Sequence, residues 1–497
     1  MSITCKFILF FTTCFFNANG NEHLINIRHK TTQQQKDVKD ANPVDIIKQS
    51  MKSAGNYESI KTLKIKTTRK NYNKWQNYSF TNPKPTNDEA YREIDFINKR
   101  LYFKTVSRYG GGYLFEFVTV GSDSTIYNYD VNGSRNGKKI AKGNKKVLES
   151  NLQSQSAFLP FYNLKALLEL NDSLSSRNET TGPVVTRHLK NGTKWDYYFS
   201  AKHYQLIRTT NFQPGQVIDT WYKDYTQLKD IWYPKKIEVF INKELLTKDE
   251  VLSVKTDEAF NESLLSLPKG YFIAETTPAE MKVSQIKKDI YLIENVQGRN
   301  ILFVALKDGI LVTEAPLSSD VTKNIINLIK KTVPDKPIRY VHLSHFHNDH
   351  THGIRAYVHE GASIVTTPAT ATALMEVIND STGKYNDELS KSRREPKFEL
   401  FEEHKTISDG NHTIAFYSVK SKHAQGMSFL RLPNEKIIYQ GDLYTLPDDH
   451  TITPAIETTR DFNQFLIKKG LTFERMIGHH GSNFITQQIL QKAITLK

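Results

Sequence analysis

The sequence predicts an α+β protein with two folded domains, the first of which is mainly antiparallel β-structure. The chain has 497 residues, which is too long for one hydrophobic core. Apolar and polar residues alternate over much of residues 63–267, a pattern typical of half-buried strands. Residues 268–284 contain proline and glycine without a clear period, and a new alternating pattern begins at Ile290. We therefore expect an N-terminal β-rich domain over residues 43–270 and a second domain over residues 285–497.

The first residues of the chain indicate export. Lys6 precedes an apolar run over residues 7–16, and small residues follow up to residue 20, as in a signal peptide. The run is too short to span a bilayer of about 30 Å, so the mature protein is expected to be periplasmic or secreted and not transmembrane. Residues 21–42 are polar and predict a flexible leader. The only cysteines, Cys5 and Cys14, lie in the signal peptide, which leaves no thiolate ligand or disulfide in the mature chain. Cys14 stays open as a lipidation site.

Local patterns define several elements of the N-terminal domain. Asn42 and Pro43 are suited to begin a helix that ends before Gly55. A second helix is expected near residues 161–170. Residues 195–199 and 204–208 form two apolar runs around a short polar segment, which predicts a hairpin.

The pattern YYFSAKHYQLIRTT, followed by WYKDYTQLKDIWYPKKIEVF, resembles the lipoprotein-carrier-like fold. This resemblance implies a curved antiparallel sheet wrapped around a helix, whose concave face can hold acyl chains. Contact with an envelope lipid or lipoprotein through this domain is one interpretation. The other, left open here, is a purely structural or docking module.

Charge and composition exclude one class of partner. The formal net charge is +14, but lysines are scattered among acidic residues, and no basic helix or arginine-rich run is present. We therefore expect no nucleic-acid partner. A small-molecule substrate is the alternative that the motif below supports.

The chemistry is concentrated in residues 338–353, IRYVHLSHFHNDHTHG. A strand leads into a loop that holds three histidines and one aspartate within six residues, His345, His347, Asp349 and His350. Imidazole nitrogens and carboxylate oxygens are good zinc ligands. The first two histidines are expected to project to one side, and Asp349 and His350 can turn toward a neighbouring position. This spacing suits two adjacent metals.

This loop matches the HxHxDH signature of the metallo-β-lactamase superfamily, and further residues of the family pattern follow in order, namely His423, Asp442 and His480. The resemblance covers roughly residues 285–497 and implies a C-terminal αββα sandwich. It also implies that His345, His347 and His423 hold a first metal, that Asp349, His350 and His480 hold a second, and that Asp442 bridges them. The last ligand is chosen because the family places it immediately before a glycine; His479 is the alternative.

The resemblance implies a hydrolase with two divalent metal ions, zinc being the expected metal. A metal-bridging hydroxide would attack an ester, thioester or amide-like bond, and Asp349 would orient it as the catalytic residue. The absence of mature cysteines excludes β-lactamases that use a cysteine ligand. His347 stands where the flavin-linked di-iron relatives usually carry glutamate, which disfavours that oxidoreductase class.

Two alternative functions stay open at this point. One is an envelope lipid- or lipoprotein-binding protein with an auxiliary metal domain, and the other is an iron-dependent sulfur dioxygenase on the same fold. Glu314, after a predicted strand, either supports the motif loop from behind or caps a turn. Because every proposed ligand lies after Ile338, the sequence predicts that the C-terminal domain binds its metals without help from the N-terminal sheet. It also predicts a cavity that opens to solvent.

Overall fold

The computed structural model describes residues 41–170, 172–274 and 279–496. The predicted signal peptide lies outside the described residues, as does the predicted leader except for its last two residues. Among the described residues, no helix has both the length and the apolar character that crossing a membrane requires.

The N-terminal domain is one large sheet. Within the described residues it has fourteen strands, in the order β14-β6-β5-β4-β3-β2-β1-β13-β12-β11-β10-β9-β8-β7. Their bounds are β1 Thr62–Asn71, β2 Thr86–Asp95, β3 Arg100–Arg108, β4 Leu114–Ser122, β5 Thr125–Asp130, β6 Lys139–Gly143, β7 Ser173–Glu179, β8 Gly182–His188, β9 Lys194–Phe199, β10 Leu206–Gln213, β11 Gln216–Leu228, β12 Ile231–Ile241, β13 Glu244–Thr256 and β14 Phe272–Ala274. Every pairing is antiparallel except that of β14 with β6. The prediction of a mainly antiparallel domain is therefore confirmed.

Three helices pack against this sheet: α1 (Pro43–Ala54), α2 (Lys145–Ser156) and α3 (Pro160–Leu168). Asn42 caps α1 through a hydrogen bond from the backbone N–H of Val44, as the sequence predicts. Apolar residues of the helices join strand residues in two buried clusters, with Ile47 in one and Leu148 in the other. The single central helix of the lipoprotein-carrier-like resemblance is thus replaced by three, of which α2 was not predicted.

The C-terminal domain has four layers. A seven-stranded sheet contains β15 Lys282–Lys287, β16 Ile290–Glu294, β17 Ile301–Leu306, β18 Gly309–Thr313, β19 Ile338–His342, β20 Ser363–Thr366 and β21 Lys397–Leu400. A five-stranded sheet contains β22 His404–Ser408, β23 Thr413–Ser418, β24 Ser428–Leu432, β25 Ile437–Gln440 and β26 Arg475–Gly478. The remaining helices are α4 Ser319–Thr332, α5 Asn348–Thr351, α6 Ile354–Glu360, α7 Pro368–Ile378, α8 Glu388–Ser392, α9 Glu457–Lys468 and α10 Gln487–Thr495.

The order of these layers follows from the buried clusters. The inner faces of the two sheets share one cluster, to which Leu302 and Leu430 belong. The outer face of the seven-stranded sheet packs against α4, α6 and α7, and α9 and α10 cover the other sheet. Each sheet therefore buries both faces, which explains its continuous apolar strands, such as Ile301–Leu306. The predicted αββα sandwich is the fold observed.

The segment between the domains is shorter than the sequence predicts. Phe272–Ala274 pairs with the N-terminal sheet, and Lys282–Lys287 pairs with the seven-stranded sheet. Both strands fall within or beside residues 268–284, which carry no alternating pattern long enough to reveal them.

A buried ion pair ties the helices of the C-terminal domain together. Arg355, only 2% exposed, donates to Asp387 through Nε and Nη2 at 2.8 and 2.9 Å, and to the carbonyls of Val377 and Ile378 through Nη1. We expect Arg355→Met to lower the free energy of unfolding by about 3–5 kcal/mol, because it leaves these acceptors unpaired. Arg339→Met, which removes an exposed pair, should cost under about 1 kcal/mol. Urea unfolding of the full chain measures both, and equal losses would contradict this account.

The same pair predicts a dependence on pH. Burial raises the pKa of the Asp387 carboxyl, but hydrogen bonds from Arg355 and Ser319 outweigh it and hold this pKa below its ordinary value of 3.8. A group whose pKa is lowered by folding stabilises the fold above its unfolded pKa, and that contribution is lost as the pH falls through the folded value. The difference in urea midpoint between wild type and Arg355→Met should therefore be constant near neutral pH and shrink below about pH 4. A difference that grows on acidification would contradict it.

Candidate metal centre

The predicted ligands meet at one edge of the sandwich. β23, β25 and β26 all run in the same direction, because β24 is antiparallel to β23 and β25 and because β25 and β26 are parallel. His423, Asp442 and His480 follow the carboxyl ends of these three strands. The loop that follows β19 reaches the same edge, where Ser428 donates its backbone N–H to the carbonyl of Ser344. Sheet topology thus brings together residues that are far apart in sequence.

Two groups of potential ligands form at this edge, and within each group the ligand atoms lie within 4.8 Å of one another. The first group is His345, His347, His423 and Asp442, and the second is His350, His479 and His480. Asp349 adjoins the second group, since its Oδ2 lies 3.1 Å from Nε2 of His480 and 3.8 Å from Nε2 of His350. All seven residues predicted from the sequence therefore converge.

Asp442 stands between the two groups. Its Oδ2 lies 3.2 Å from Nε2 of His423 and 3.8 Å from Nε2 of His345. Its Oδ1 lies 3.3 Å from Nε2 of His350 and 3.5 Å from Nε2 of His480. One carboxylate thus presents one oxygen to each group, which is the arrangement a residue shared by two cations needs.

Close approach of the backbone makes this position possible. Gly441 precedes Asp442, and a Cβ at Gly441 would collide with the side chain of Ser344 and lie 3.3 Å from Nδ1 of His345. Only glycine allows the end of β25 to approach the histidine loop so closely. The Gly–Asp dipeptide is therefore a packing requirement of the site.

Several buried atoms of the cluster have no hydrogen-bond partner among the described residues. They are His345 Nε2, His347 Nδ1, His350 Nε2, His479 Nε2, His480 Nε2 and Asp442 Oδ1. An unpaired buried polar atom costs about 1–3 kcal/mol, and whole domains are stable by only about 5–15 kcal/mol. Cations bound among these atoms would remove that cost. The donor set, imidazole nitrogens with carboxylate oxygens, fits divalent metals of the zinc type.

The protonation states of the buried histidines suit metal binding. Burial, with smaller contributions from neighbouring histidines, holds the pKa of His345 well below its ordinary value and lowers that of His347 to about 3. Burial likewise lowers the pKa of His480 to about 4, although Asp442 and Asp349 oppose the shift. These imidazoles are therefore neutral at pH 7, with a lone pair available, as metal binding requires.

The carboxylates of Asp349 and Asp442 are ionised. Burial alone would raise the pKa values of Asp349 and Asp442, but His350 and His480 outweigh it and keep both well below the ordinary range. Burial lowers the pKa of His350, yet Asp442, Asp349 and Glu314 together raise it to about 10. Three carboxylates around one imidazole create a region that favours positive charge.

The two candidates for the last ligand, His479 and His480, differ in their contacts. His480 is the residue that faces Asp349 and Asp442. His479 is directed toward Tyr439 and the carbonyl of Asn300, which lie 2.9 and 3.2 Å from its Nδ1. The geometry thus favours His480, with His479 beside it in the same group.

Supporting residues surround the ligands. Glu314 accepts a hydrogen bond from the backbone N–H of Ser344, and its Oε1 lies 3.4 Å from Nδ1 of His350, so it supports the motif loop from behind. Asn300 donates its side-chain amide to the carbonyls of Gly478 and Gly481 and fixes the turn that carries His480. Arg299, missed in the sequence, places Nη2 3.6 Å from Asp349 Oδ2.

The site is more enclosed than the sequence predicts. Asp442 is the most exposed of the predicted ligands at 8%, and His345 and His350 are fully buried. Loops of the N-terminal domain cover the cluster, and Tyr113 places its ring 4.7 Å from that of His423. These N-terminal residues belong to no recognisable sequence motif, so their place beside the ligands is seen only in the structure.

No family model and no curated protein matches the chain. Solved structures match about 44% of it. A metallo-β-lactamase from Pontibacter korlensis aligns with 16% identity and a TM-score of 0.33 over 44% of this chain and 98% of its own. The stereoselective inverting sec-alkylsulfatase Pisa1 from Pseudomonas sp. aligns with 15% identity and a TM-score of 0.33, over 43% of this chain and 41% of its own. The flavodiiron protein from Giardia intestinalis aligns with 15% identity and a TM-score of 0.32, over 44% of this chain and 59% of its own.

The four layers observed here, with the ligand groups at one sheet edge, agree with the αββα sandwich that the sequence resemblance implies. The roles of individual residues rest on the contacts within this chain.

The position of Asp442 gives a first test of the centre. We expect wild-type protein dialysed against zinc to retain up to two ions per chain, and Asp442→Ala to lose most of both, because Asp442 faces both ligand groups. His404→Ala, which alters an exposed histidine, should keep the wild-type content. Elemental analysis after gel filtration measures the ratio. Two tightly held ions in Asp442→Ala would show that this carboxylate is not shared.

Proposed function

We propose that the chain is a metal-dependent hydrolase of the metallo-β-lactamase superfamily that cleaves an ester, thioester or amide-like bond with two divalent metals, zinc being the expected ion. The observation that carries this proposal is the Asp442 carboxylate, which presents one oxygen to each of two histidine groups. A single-metal site would leave the second group of buried imidazoles without a purpose.

The chain's own residues have separable roles in this proposal. His345, His347 and His423 would hold one ion, and His350 and His480 with Asp349 would hold the other. Divalent metals supply Lewis acidity and a nucleophilic water at neutral pH. Asp349 keeps one oxygen, Oδ2, directed into the cluster, where it can orient that water and accept its proton.

The electrostatic setting supports this role for Asp349. Its carboxyl is ionised at neutral pH, since His350, His480 and Arg299 outweigh the effect of burial on its pKa. Arg299 also balances the negative charge of this carboxylate, since its Nη2 lies 3.6 Å from Oδ2 of Asp349. An ionised, oriented carboxylate can accept a hydrogen bond from that water and so orient it.

We also propose export of the protein to the periplasm or the medium. The support is the apolar run at residues 7–16, preceded by Lys6 and followed by small residues.

Replacing Asp349 tests the catalytic proposal. We expect Asp349→Ala to lower kcat on a chromogenic ester, thioester or amide by about 10²–10⁴-fold, the usual contribution of a positioned acid–base group. Asp335→Ala, which removes an exposed carboxylate before β19, at the end of the strand opposite the HxHxDH loop, should leave kcat unchanged. Initial rates on a panel of the three bond types, with metal-loaded protein, give the comparison.

Two outcomes would contradict the proposal. Wild-type rates in Asp349→Ala would remove the residue from the mechanism. Native protein that contains iron and oxidises a persulfide, without hydrolysing any member of the panel, would instead favour the sulfur dioxygenase alternative.

A further inference from the structure

One segment of the N-terminal domain runs directly over the HxHxDH loop. It is the connection between β1 and β2, residues 72–85, here called the β1–β2 connection. Trp75 packs its ring against His352 with the centroids 4.7 Å apart, and Phe80 packs against Phe346 at 5.9 Å. These apolar contacts anchor the connection on the C-terminal domain. They leave the polar residues between them facing the ligands.

Gln76 binds the outer oxygen of Asp349. Its Nε2 donates hydrogen bonds to Oδ1 of Asp349 at 2.9 Å and to Oδ1 of Asn348 at 2.6 Å. With Oδ1 held in this way, the other oxygen of Asp349 is directed at Nε2 of His480, 3.1 Å away. The amide uses both of its N–H groups, which a glutamate or methionine at this position could not do.

Asn77 determines which nitrogen of His347 is available. The backbone carbonyl of Asn77 lies 3.0 Å from Nε2 of His347. A carbonyl can only accept, so Nε2 carries the proton and Nδ1 keeps its lone pair. Nδ1 is buried without a partner among the described residues, and His347 belongs to the first ligand group. Partners of this kind fix the tautomer and orientation of metal-ligating histidines.

A second N-terminal segment contacts two further ligands, His423 and Asp442. The hydroxyl of Tyr113 donates to the backbone carbonyl of Asp442, and its ring lies beside that of His423. Gly111 lies so close to His423 and Thr458 that a Cβ would collide with Thr458. The two segments therefore touch four of the seven predicted ligands.

We infer that the N-terminal domain completes the metal centre, with Gln76 as a positioning residue for Asp349, the Asn77 carbonyl as the fixed partner of His347, and Tyr113 as the support of Asp442. The inference rests on the proposed two-metal function. It replaces the expectation that the C-terminal domain binds its metals unaided. Gln76, Asn77 and Tyr113 contact atoms of the ligand residues that face away from the cluster. They therefore stand where orienting partners stand, and they are not ligands themselves.

Gln76→Met in the full chain tests the inference, because methionine keeps the length of the side chain and removes both donors. Zinc affinities are measured by competition with a chromophoric chelator. We expect one of the two ions to bind roughly 10–100-fold more weakly, the usual effect of losing an orienting partner, while the other binds as in wild type. Gln227→Met is the matched control, since Gln227 is an exposed glutamine of the same domain that donates to a backbone carbonyl far from the site.

Tyr113→Phe gives a second, independent readout. It removes only the hydroxyl that binds the Asp442 carbonyl, and because Asp442 faces both groups, both ions should bind more weakly. A merely structural effect would instead lower the urea midpoint of the metal-free protein. For Gln76→Met and Tyr113→Phe, we expect the urea midpoint of the metal-free protein to equal that of wild type and of Gln227→Met.

The outcomes separate this inference from the proposed function. If wild type binds two ions and both variants match Gln227→Met in affinity, the N-terminal domain does not complete the centre and the inference is wrong. If wild type itself binds no divalent ion, the proposed function fails.

Discussion

The carboxylate of Asp442 can stand between two groups of buried histidines only if almost every layer of the C-terminal domain is in place. β25 delivers it, and Gly441 lets the backbone pass against the side chain of Ser344. The parallel neighbour β26 delivers His480 to the same edge. The facing sheet contributes the HxHxDH loop at the end of β19. A shift of either sheet by one residue would reverse the direction of these side chains, so the position of one carboxylate constrains the register of both sheets.

Charge balance imposes a second requirement. The cluster buries carboxylates and imidazoles together, and an isolated buried charge is very unfavourable. Glu314, Asp349 and Asp442 surround His350, which is why the pKa of this histidine rises to about 10, while burial lowers the pKa values of His345, His347 and His480. Without a cation, one protonated histidine offsets part of the negative charge. A divalent ion would take over this role and displace the proton, so metal binding and the protonation of His350 are coupled.

The sequence is sufficient to predict that these seven residues lie together, because the pattern that singles them out is local. Three histidines and an aspartate within six residues leave few other interpretations, and His423, Asp442 and His480 each follow an apolar strand. The hairpin at residues 195–208 and the helix at Pro43–Ala54 were predicted for similar reasons, since turns and caps are local signals. His479 follows a glycine and His480 precedes one, so the sequence does not separate them, and the preference for His480 rests on its position beside Asp349 and Asp442.

The missed features depend on distant contacts. α2 has a weakly amphipathic sequence, KKVLESNLQSQS, and is buried chiefly through Leu148, so periodicity did not reveal it. β14 and β15 are short, and their partners lie in different sheets. Gln76 contacts residues 272 and 273 positions further along the chain, and nothing in its local sequence indicates this. One sequence carries no information about such a pair until the fold brings the two residues together.

The contacts between domains have a thermodynamic consequence. Metal ions bind best to ligands that are already oriented, and the β1–β2 connection orients ligands of both groups. Anything that favours the docked arrangement therefore raises metal affinity, and by linkage a bound metal must favour docking to the same extent. The N-terminal sheet then influences the metal centre through its connecting loops. β1 and β2 form a long, regular pair within the sheet, and this pair fixes both ends of the connection that carries Gln76 and Asn77. Because both ends of the connection are fixed in this pair, Gln76 and the Asn77 carbonyl are held in place more precisely than they would be on a free loop.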